Sequence, residues 1–143
     1  MLETALVLVP LLALILGILD FSVAIFLQTA FRHAVREGVR YAITGQTQSG
    51  MGQDASIKAV VQDRAIGFLN GTTGAGKIHI RYYDPITLTE VTSNAAGNLV
   101  EVSVEGYLYY WMAPIMGNTG SLSLTARSSD VVEPSPNGTP PTR

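Results

Sequence analysis

The side chains that could carry out acid–base, nucleophilic or metal chemistry are few in this sequence and far apart. The chain has no cysteine, and its two histidines, His33 and His79, fall in different predicted elements. Its acidic residues are scattered, without the spacing of metal ligands. Thiolate chemistry and disulfide bonds are therefore excluded. We predict a structural protein and not an enzyme, with no catalytic, cofactor-binding or metal-binding residues.

One segment has the glycine and lysine spacing of a phosphate-binding loop. It runs from Gly71 to Lys77 and reads GTTGAGK. Such a loop follows a strand, precedes a helix and places a Ser or Thr after the lysine to hold magnesium. Here a predicted helix precedes the glycines, a predicted strand follows them, and Ile78 stands after the lysine. Nucleotide binding is therefore rejected.

Two carboxylates, Glu3 and Asp20, bracket a strongly apolar run. The fifteen residues from Ala5 to Leu19 are uncharged, and almost all of them are large aliphatic residues. A carboxylate at the end of such a run is costly to bury unless it is paired. Glu3 either has such a partner or lies at the level of lipid headgroups, where the dipole of a helix N-terminus favours a negative charge.

The apolar run and the residues after it form one predicted helix. Leu27, Phe31 and Val35 recur at four-residue spacing, which indicates one apolar face of a helix. Residues 1–44 would form a stalk roughly 60 Å long. Three interpretations of its apolar half compete: a signal peptide, which no Lys or Arg introduces, a plain membrane anchor, and a stalk that packs with copies of itself.

Two residues weaken the stalk as a helix. Pro10 cannot donate an amide hydrogen bond, and its ring crowds the carbonyl of Leu6. We expect a kink or a short unwound stretch around residues 6–10, with Gly17 as a second weak point.

The next part of the chain, residues 45–132, predicts a small globular head. After a polar loop, Asp54 or Ser56 can cap a second helix, which would end at Asn70-Gly71. From Lys77 onward the pattern is that of strands.

The strongest predicted strand covers residues 99–109. Its valines face one side while Glu101, Ser103 and Glu105 face the other, so one face is buried and one is wet. Weaker or shorter strands are expected near residues 78–83, 87–92 and 121–132. The predicted fold class is α+β: a long N-terminal hydrophobic α-helix, plus a second helix packed on a small antiparallel sheet of three or four strands.

Two further segments have a distinctive composition. Residues 107–116 concentrate aromatic residues and methionine, and they either pack under the sheet edge or form a sticky patch between subunits or against a surface. Residues 133–143 form a tail rich in proline, which is either disordered or extended along a neighbouring subunit.

The formal net charge of −2 gives no reason to expect a nucleic-acid partner.

The first 43 residues combine several signals in one order. They are Glu3, an aliphatic helix that contains Pro10, the Asp20-Phe21 pair, and the segment AVREGVRYA at residues 34–42. In this order the residues resemble the TadE-like pilins of the type IV pilin superfamily, whose pattern ends in an AAREGARYA-like stretch. The other 100 or so residues are similar to these pilins only in general build.

The resemblance implies a structural subunit whose copies polymerise through their N-terminal helices into an extracellular filament. It implies that Glu3 pairs with the free amine of a neighbouring subunit. Asp20 either meets an arginine of another subunit or marks the bilayer edge, and the line of Arg32, Arg36 and Arg40 is either a solvated edge or an intersubunit contact. The residues expected in subunit assembly are Glu3, Leu6, Pro10, Leu12, Leu16, Gly17, Asp20, Arg32 and Arg36.

The implied partners are copies of the chain itself, a pilus assembly platform, a prepilin peptidase and, before assembly, the inner membrane. The peptidase removes a short leader; none precedes Glu3 here, so we expect either a different cleavage register or residues missing from the mature start. The implied location is the cell surface or an extracellular filament that serves adhesion. Positive residues follow the apolar run and alone would place the head in the cytoplasm, whereas the resemblance implies the opposite.

One alternative stays open from the residues alone. A single-span, membrane-anchored extracytoplasmic domain could bind a ligand or a protein partner without polymerising.

Overall fold

The longest element is a single helix, α1, at Leu2–Ile43. The computed structural model describes the backbone of residues 2–112, 120–135 and 138–143, and the side chains of these residues from Leu6 onward. The upper part of α1, residues 20–43, is amphipathic and buries one face in the head. The helix ends before Gly45, whose φ of 64° is the left-handed conformation that glycine adopts readily at helix ends.

Of the two distortions expected at residues 6–10, a kink or a short unwound stretch, the unwound stretch is not present. α1 continues as an α-helix through Pro10. Proline removes only one amide donor, and the aliphatic residues around it are good helix formers, so the helical conformation is retained.

The second helix, α2, covers Gln53–Arg64 and is shorter than predicted. Gly52 is its N-cap and no side chain caps it, so the prediction of Asp54 or Ser56 as the cap was wrong. The helix stops early because Ile66 and Gly67 both have positive φ. A short helix, α3 at Gly71–Ala75, then occupies the glycine-rich segment.

Within the described residues, four strands form one antiparallel sheet: β1 at Ile78–Tyr83, β2 at Glu90–Val91, β3 at Leu99–Tyr110 and β4 at Ser121–Val131. Their order is β2-β1-β3-β4. The weak run predicted at residues 87–92 contributes only the two residues of β2. The predicted fold class, α+β with an antiparallel sheet, is confirmed.

The core lies between the sheet and the two longer helices. α1 packs against α2, β3 and β4. The valines of β3 face this core, as their alternation predicted. The principal core residues are Leu27, Phe31, Val35, Ile57, Val61, Leu69, Ile78, Val100, Val102 and Val104.

The outer face of the sheet is less wet than expected. Ser103 is fully buried, and its hydroxyl donates a hydrogen bond of 2.8 Å to Glu105. Arg81 on β1 lies over them and pairs with Glu105 at 2.8 Å and with Glu101 at 3.6 Å. This ion-pair cluster covers the serine, which explains why the alternation did not leave that side chain in water.

The end of the proline-rich tail, residues 138–143, packs on the head of its own chain instead of being disordered; a contact of the tail with a neighbouring subunit stays a prediction. The carbonyl of Thr142 accepts a hydrogen bond of 2.7 Å from the amide of Gln53, the first residue of α2. Arg143 forms an ion pair of 2.9 Å with Asp54, and its guanidinium lies 4.6 Å from the centre of the Tyr82 ring. These contacts, together with a hydrogen bond from Asn94 to the carbonyl of Pro141, hold residues 141–143 in place.

Candidate assembly surface

The lower part of α1 presents an apolar surface on all its sides. Every large aliphatic side chain from Leu6 to Leu19 is exposed, from 44% for Ile15 to 72% for Leu6. No other described part of the chain packs over this segment. A helix that is hydrophobic all round is stable in water only when something covers it, either lipid or other helices. We refer to residues 6–19 as the apolar segment.

The helix has the length and composition of a membrane span. Within Leu6–Ile43, an 18-residue window reaches a mean hydropathy of 2.6. Only 6% of that window is buried inside the protein, which distinguishes it from the core helix of a soluble domain.

The structure places the expected assembly residues at three levels of α1. Leu6, Pro10, Leu12 and Leu16 are exposed on the apolar segment, and Gly17 is half-buried. The side chain of Glu3 lies outside the described residues. Arg32 and Arg36 are exposed on the upper part of α1, together with Arg40. Asp20 lies at the level between these arginines and the apolar segment.

Asp20 stands at the boundary between these two exposed regions and is itself buried, with only 3% of its surface accessible. The Tyr109 hydroxyl donates a hydrogen bond of 2.8 Å to Oδ1 of Asp20, and the amide of Met112 donates a second one of 3.0 Å to the same atom. Arg32 lies twelve residues further along the helix, about 18 Å away along its axis. The carboxylate is therefore engaged by its own head, a role that neither expectation for Asp20 included.

Burial and the neighbouring Asp20 carboxylate shift the pKa of Tyr109 in the same direction. Burial of the phenol, followed by its hydrogen bond to Asp20, raises the pKa of Tyr109 above its ordinary value. The tyrosine therefore stays protonated as a donor to Asp20 at neutral pH.

Aromatic contacts reinforce this junction. The rings of Phe21 and Trp111 lie 5.6 Å apart, and those of Tyr109 and Trp111 are also 5.6 Å apart, nearly perpendicular. The aromatic residues at the end of β3 therefore pack against α1 directly above the apolar segment. Both the aromatic run and the isolated Asp20 are visible in the sequence, but nothing local to either indicates that they meet.

The described residues offer no chemistry beyond packing and pairing at this surface. Among them, no three His, Cys, Asp or Glu side chains lie together as a metal site would require. Lys77, the lysine of the glycine-rich segment, donates from its ammonium group to the carbonyl of Gly106 on β3. What the surface can do is associate, through the apolar segment, with a membrane or with other helices.

A known protein family matches the part of the chain that carries this surface. Residues 1–40 match the family of TadE-like proteins. The TadE-like match covers nearly all of α1 and confirms the resemblance found in the sequence, and it points to a pilus-related structural protein with an N-terminal apolar helix. It includes none of the sheet. No curated protein and no solved structure matches the chain.

Proposed function

We propose that this chain is the structural subunit of an extracellular type IV-like pilus and polymerises through the apolar segment of α1. The observation that carries the proposal is the complete ring of exposed aliphatic side chains from Leu6 to Leu19, on the helix that the TadE-like match covers. In a filament, neighbouring copies of the same helix would cover that ring. The stalk, residues 1–44, would then lie in the filament axis, with the head and the tail outside.

The energetics of such an assembly depend on where the subunit starts. Removing 300 to 400 Å² of apolar surface from water would contribute about 8 to 10 kcal/mol per subunit at about 25 cal/mol/Å². A subunit that waits in the membrane has already lost most of that water contact, so helix–helix packing gains much less. Extraction into the filament therefore requires driving machinery, charge pairing, or both.

The assembly residues take different roles in this proposal. Glu3 supplies the charge pairing, by binding the amine of a neighbouring subunit in the apolar axis. Leu6, Leu12 and Leu16 form the packing surface, while Pro10 and Gly17 allow close approach and bending. Asp20 fixes the head on the helix, and Arg32 and Arg36 lie at the level where the heads of neighbours meet.

Assembly would involve partners besides copies of the chain. The inner membrane holds the subunit before assembly, a prepilin peptidase processes its N-terminus and an assembly platform extracts it. The finished filament lies outside the cell and serves attachment to surfaces.

The test combines microscopy with mass spectrometry. Material sheared from cells that express the full chain is imaged by electron microscopy, and the N-terminus of the chain in that fraction is determined by mass spectrometry. Long thin filaments built mostly of this chain are expected. A protein found only in membranes, monomeric and uncleaved, would contradict polymerisation and favour the single-span binding domain.

Glu3→Ala is the matching variant, with Glu90→Ala as its control. Both remove one carboxylate, but Glu90 is exposed on the edge strand β2, far from the apolar segment. Glu3→Ala should leave the head folded and abolish filaments, whereas Glu90→Ala should assemble normally. Filaments of Glu3→Ala at an unchanged yield would remove Glu3 from the mechanism.

A further inference from the structure

We propose that, while α1 is inserted in a membrane, the end of the sheet next to Asp20 lies in the headgroup region of the bilayer and contacts phospholipid. The surface consists of Phe21, Tyr110, Trp111 and Met112, and we call it the sheet-end patch. The inference rests on the membrane-inserted stage of the proposed function but not on polymerisation.

The position of the patch follows from how the sheet lies along α1. At one end of the head, the amide of Glu133, just after β4, donates to the carbonyl of Ile43 at the top of the helix. At the other end, the amide of Met112, just after β3, donates to Asp20. β3 therefore runs down the helix and ends where the apolar segment begins. The patch is continuous with the surface that a membrane would cover.

The side chains of the patch have the chemistry of a membrane interface. Phe21 is 62% exposed, Tyr110 64% and Met112 69%, while Trp111 is half-buried against Phe21. Tryptophan and tyrosine are enriched in membrane proteins at the level of the lipid headgroups. There the apolar ring contacts hydrocarbon while its polar edge contacts headgroups and water. Together with Phe21 of α1 and Met112, this tyrosine and tryptophan would otherwise leave an exposed apolar surface in water.

Charged residues are nearly absent from the sequence at this end of the head. Residues 21–31 of α1, 106–112 of β3 and the segment after it, and 120–126 of β4 contain no Asp, Glu, Lys or Arg. The one charged residue at this level is Asp20, and it accepts hydrogen bonds from Tyr109 and Met112 within the protein. The carboxylate therefore has hydrogen-bond donors within the protein, and the patch can enter the interface without leaving this group unsatisfied there.

The length of the apolar segment favours this depth. Its 14 residues span about 21 Å as a helix, less than the roughly 30 Å of a hydrocarbon core, so the hydrocarbon should reach at least to Leu19. Asp20 and the sheet-end patch then fall at the boundary of the hydrocarbon.

Trp111 makes the inference measurable, because it is the single tryptophan of the chain. The full chain is reconstituted in vesicles of phosphatidylglycerol and phosphatidylcholine brominated either near the headgroup or near the chain end. We expect Trp111 fluorescence to be quenched more by the shallow bromine than by the deep one, and iodide in the buffer to quench weakly. Strong iodide quenching without bromine quenching would overturn the inference, and so would stronger quenching by the deep bromine.

Two double variants sharpen the test. Tyr110→Ser with Met112→Ser removes apolar surface from the patch but keeps the backbone bond from residue 112 to Asp20. Ile86→Ser with Leu88→Ser removes exposed apolar surface, 90% and 68% exposed, from the turn at the opposite end of the sheet. The first pair should lose shallow bromine quenching and gain iodide quenching, and the second should match the unmodified chain. Equal behaviour of both pairs would contradict the inference.

Flotation of the vesicles separates this inference from the proposed function. A chain that does not float with vesicles would overturn both the inference and the membrane stage of the proposed function. A chain that floats with Trp111 in water would overturn the inference alone. If Trp111 became protected only when filaments form, the patch would belong to the contact with a second copy and the inference would be wrong.

Discussion

The hydroxyl of Tyr109 donates a hydrogen bond of 2.8 Å to Asp20 across 89 residues of sequence. This bond joins the last residues of β3 to the turn of α1 from which the apolar segment emerges. It gives a buried carboxylate a partner and fixes the head at one height on the helix. Asp20 is therefore a structural anchor in the isolated subunit, whatever it contacts in an assembly.

Tyr109→Phe should destabilise the head by about 1 to 3 kcal/mol, because it removes one donor from a buried carboxylate. The measurement is thermal or denaturant unfolding of the full chain in detergent, followed by near-UV circular dichroism. Tyr110→Phe is the matched control: it removes the same hydroxyl from the neighbouring, exposed ring and should change the free energy of unfolding by less than about 0.5 kcal/mol.

The same pair of variants has a signature at alkaline pH. The pKa of Tyr109 is raised by burial and by Asp20, so its contribution to stability is complete below the ordinary value of 10.0 and is lost as pH rises through the folded-state value. The unmodified chain should lose stability there, and Tyr109→Phe should lose less of it. Parallel alkaline profiles for the two proteins would contradict a role for this phenol.

Periodicity predicted the elements of this protein well because helices and strands repeat locally. The alternation of Val100, Val102 and Val104 fixed β3 and its buried face, and the apolar run fixed the lower part of α1. The partner of Asp20 could not be predicted in this way, because the contact is specified by the packing of two distant elements. No periodic signal records such a pair.

The tail shows a second limit of reasoning from composition. A segment rich in proline has too little apolar surface to fold alone, which is why disorder was one of the two expectations. It is held instead by its backbone carbonyls at Pro141 and Thr142, and by one arginine. Backbone acceptors are present at every residue, so their use leaves no mark on the sequence.

Arg143→Ala should release the tail from the head. The substitution removes the ion pair with Asp54 and the contact with the ring of Tyr82, at a cost of about 1 kcal/mol for such a partly exposed pair. The sharpest readout is hydrogen exchange at the amide of Gln53, which donates to Thr142 and should exchange faster once the tail detaches.

Arg143→Lys is the control for charge in that experiment. Lysine keeps the positive charge but cannot make the two guanidinium contacts to one carboxylate, so an intermediate exchange rate is expected. Unchanged protection of Gln53 in Arg143→Ala would show that Asn94 and the prolines hold the tail without the arginine.

Gly38 permits the close packing of α1 on α2. A Cβ at this position would lie 2.5 Å from Cγ2 of Val61 and 3.4 Å from a methyl group of Val102. Gly38→Ala should therefore destabilise the head by about 1 to 3 kcal/mol through overpacking, although alanine is the better helix former.

A double-mutant cycle separates that clash from a general loss of packing. Val61→Ala alone leaves a cavity and should also destabilise. Combined with Gly38→Ala, it removes the methyl group that clashes, so the double variant should cost less than the two single variants together. Strict additivity of the two free-energy changes would contradict a clash between these positions.

The ion-pair cluster around Arg81 and Glu105, on the outer face of the sheet, should make the stability of the protein depend on pH in the acid range. Hydrogen bonds from Arg81, and then from Ser103, lower the pKa of Glu105 from 4.5 to about 2. Because the folded-state value is the lower one, the contribution of Glu105 is complete above pH 4.5 and is lost as pH falls toward 2. Glu105→Gln should therefore cost about 1 kcal/mol at neutral pH and flatten the loss of stability in acid, measured as the unfolding midpoint against pH.

Glu90→Gln is the matched control for this last prediction, because Glu90 is exposed on the edge strand β2. It should follow the acid profile of the unmodified chain. Glu101, at 3.6 Å from Arg81, would retain part of the pairing in Glu105→Gln, so a residual acid dependence is expected there. Acid profiles that coincide for Glu105→Gln and the unmodified chain would show that Glu105 does not contribute to stability through its charge.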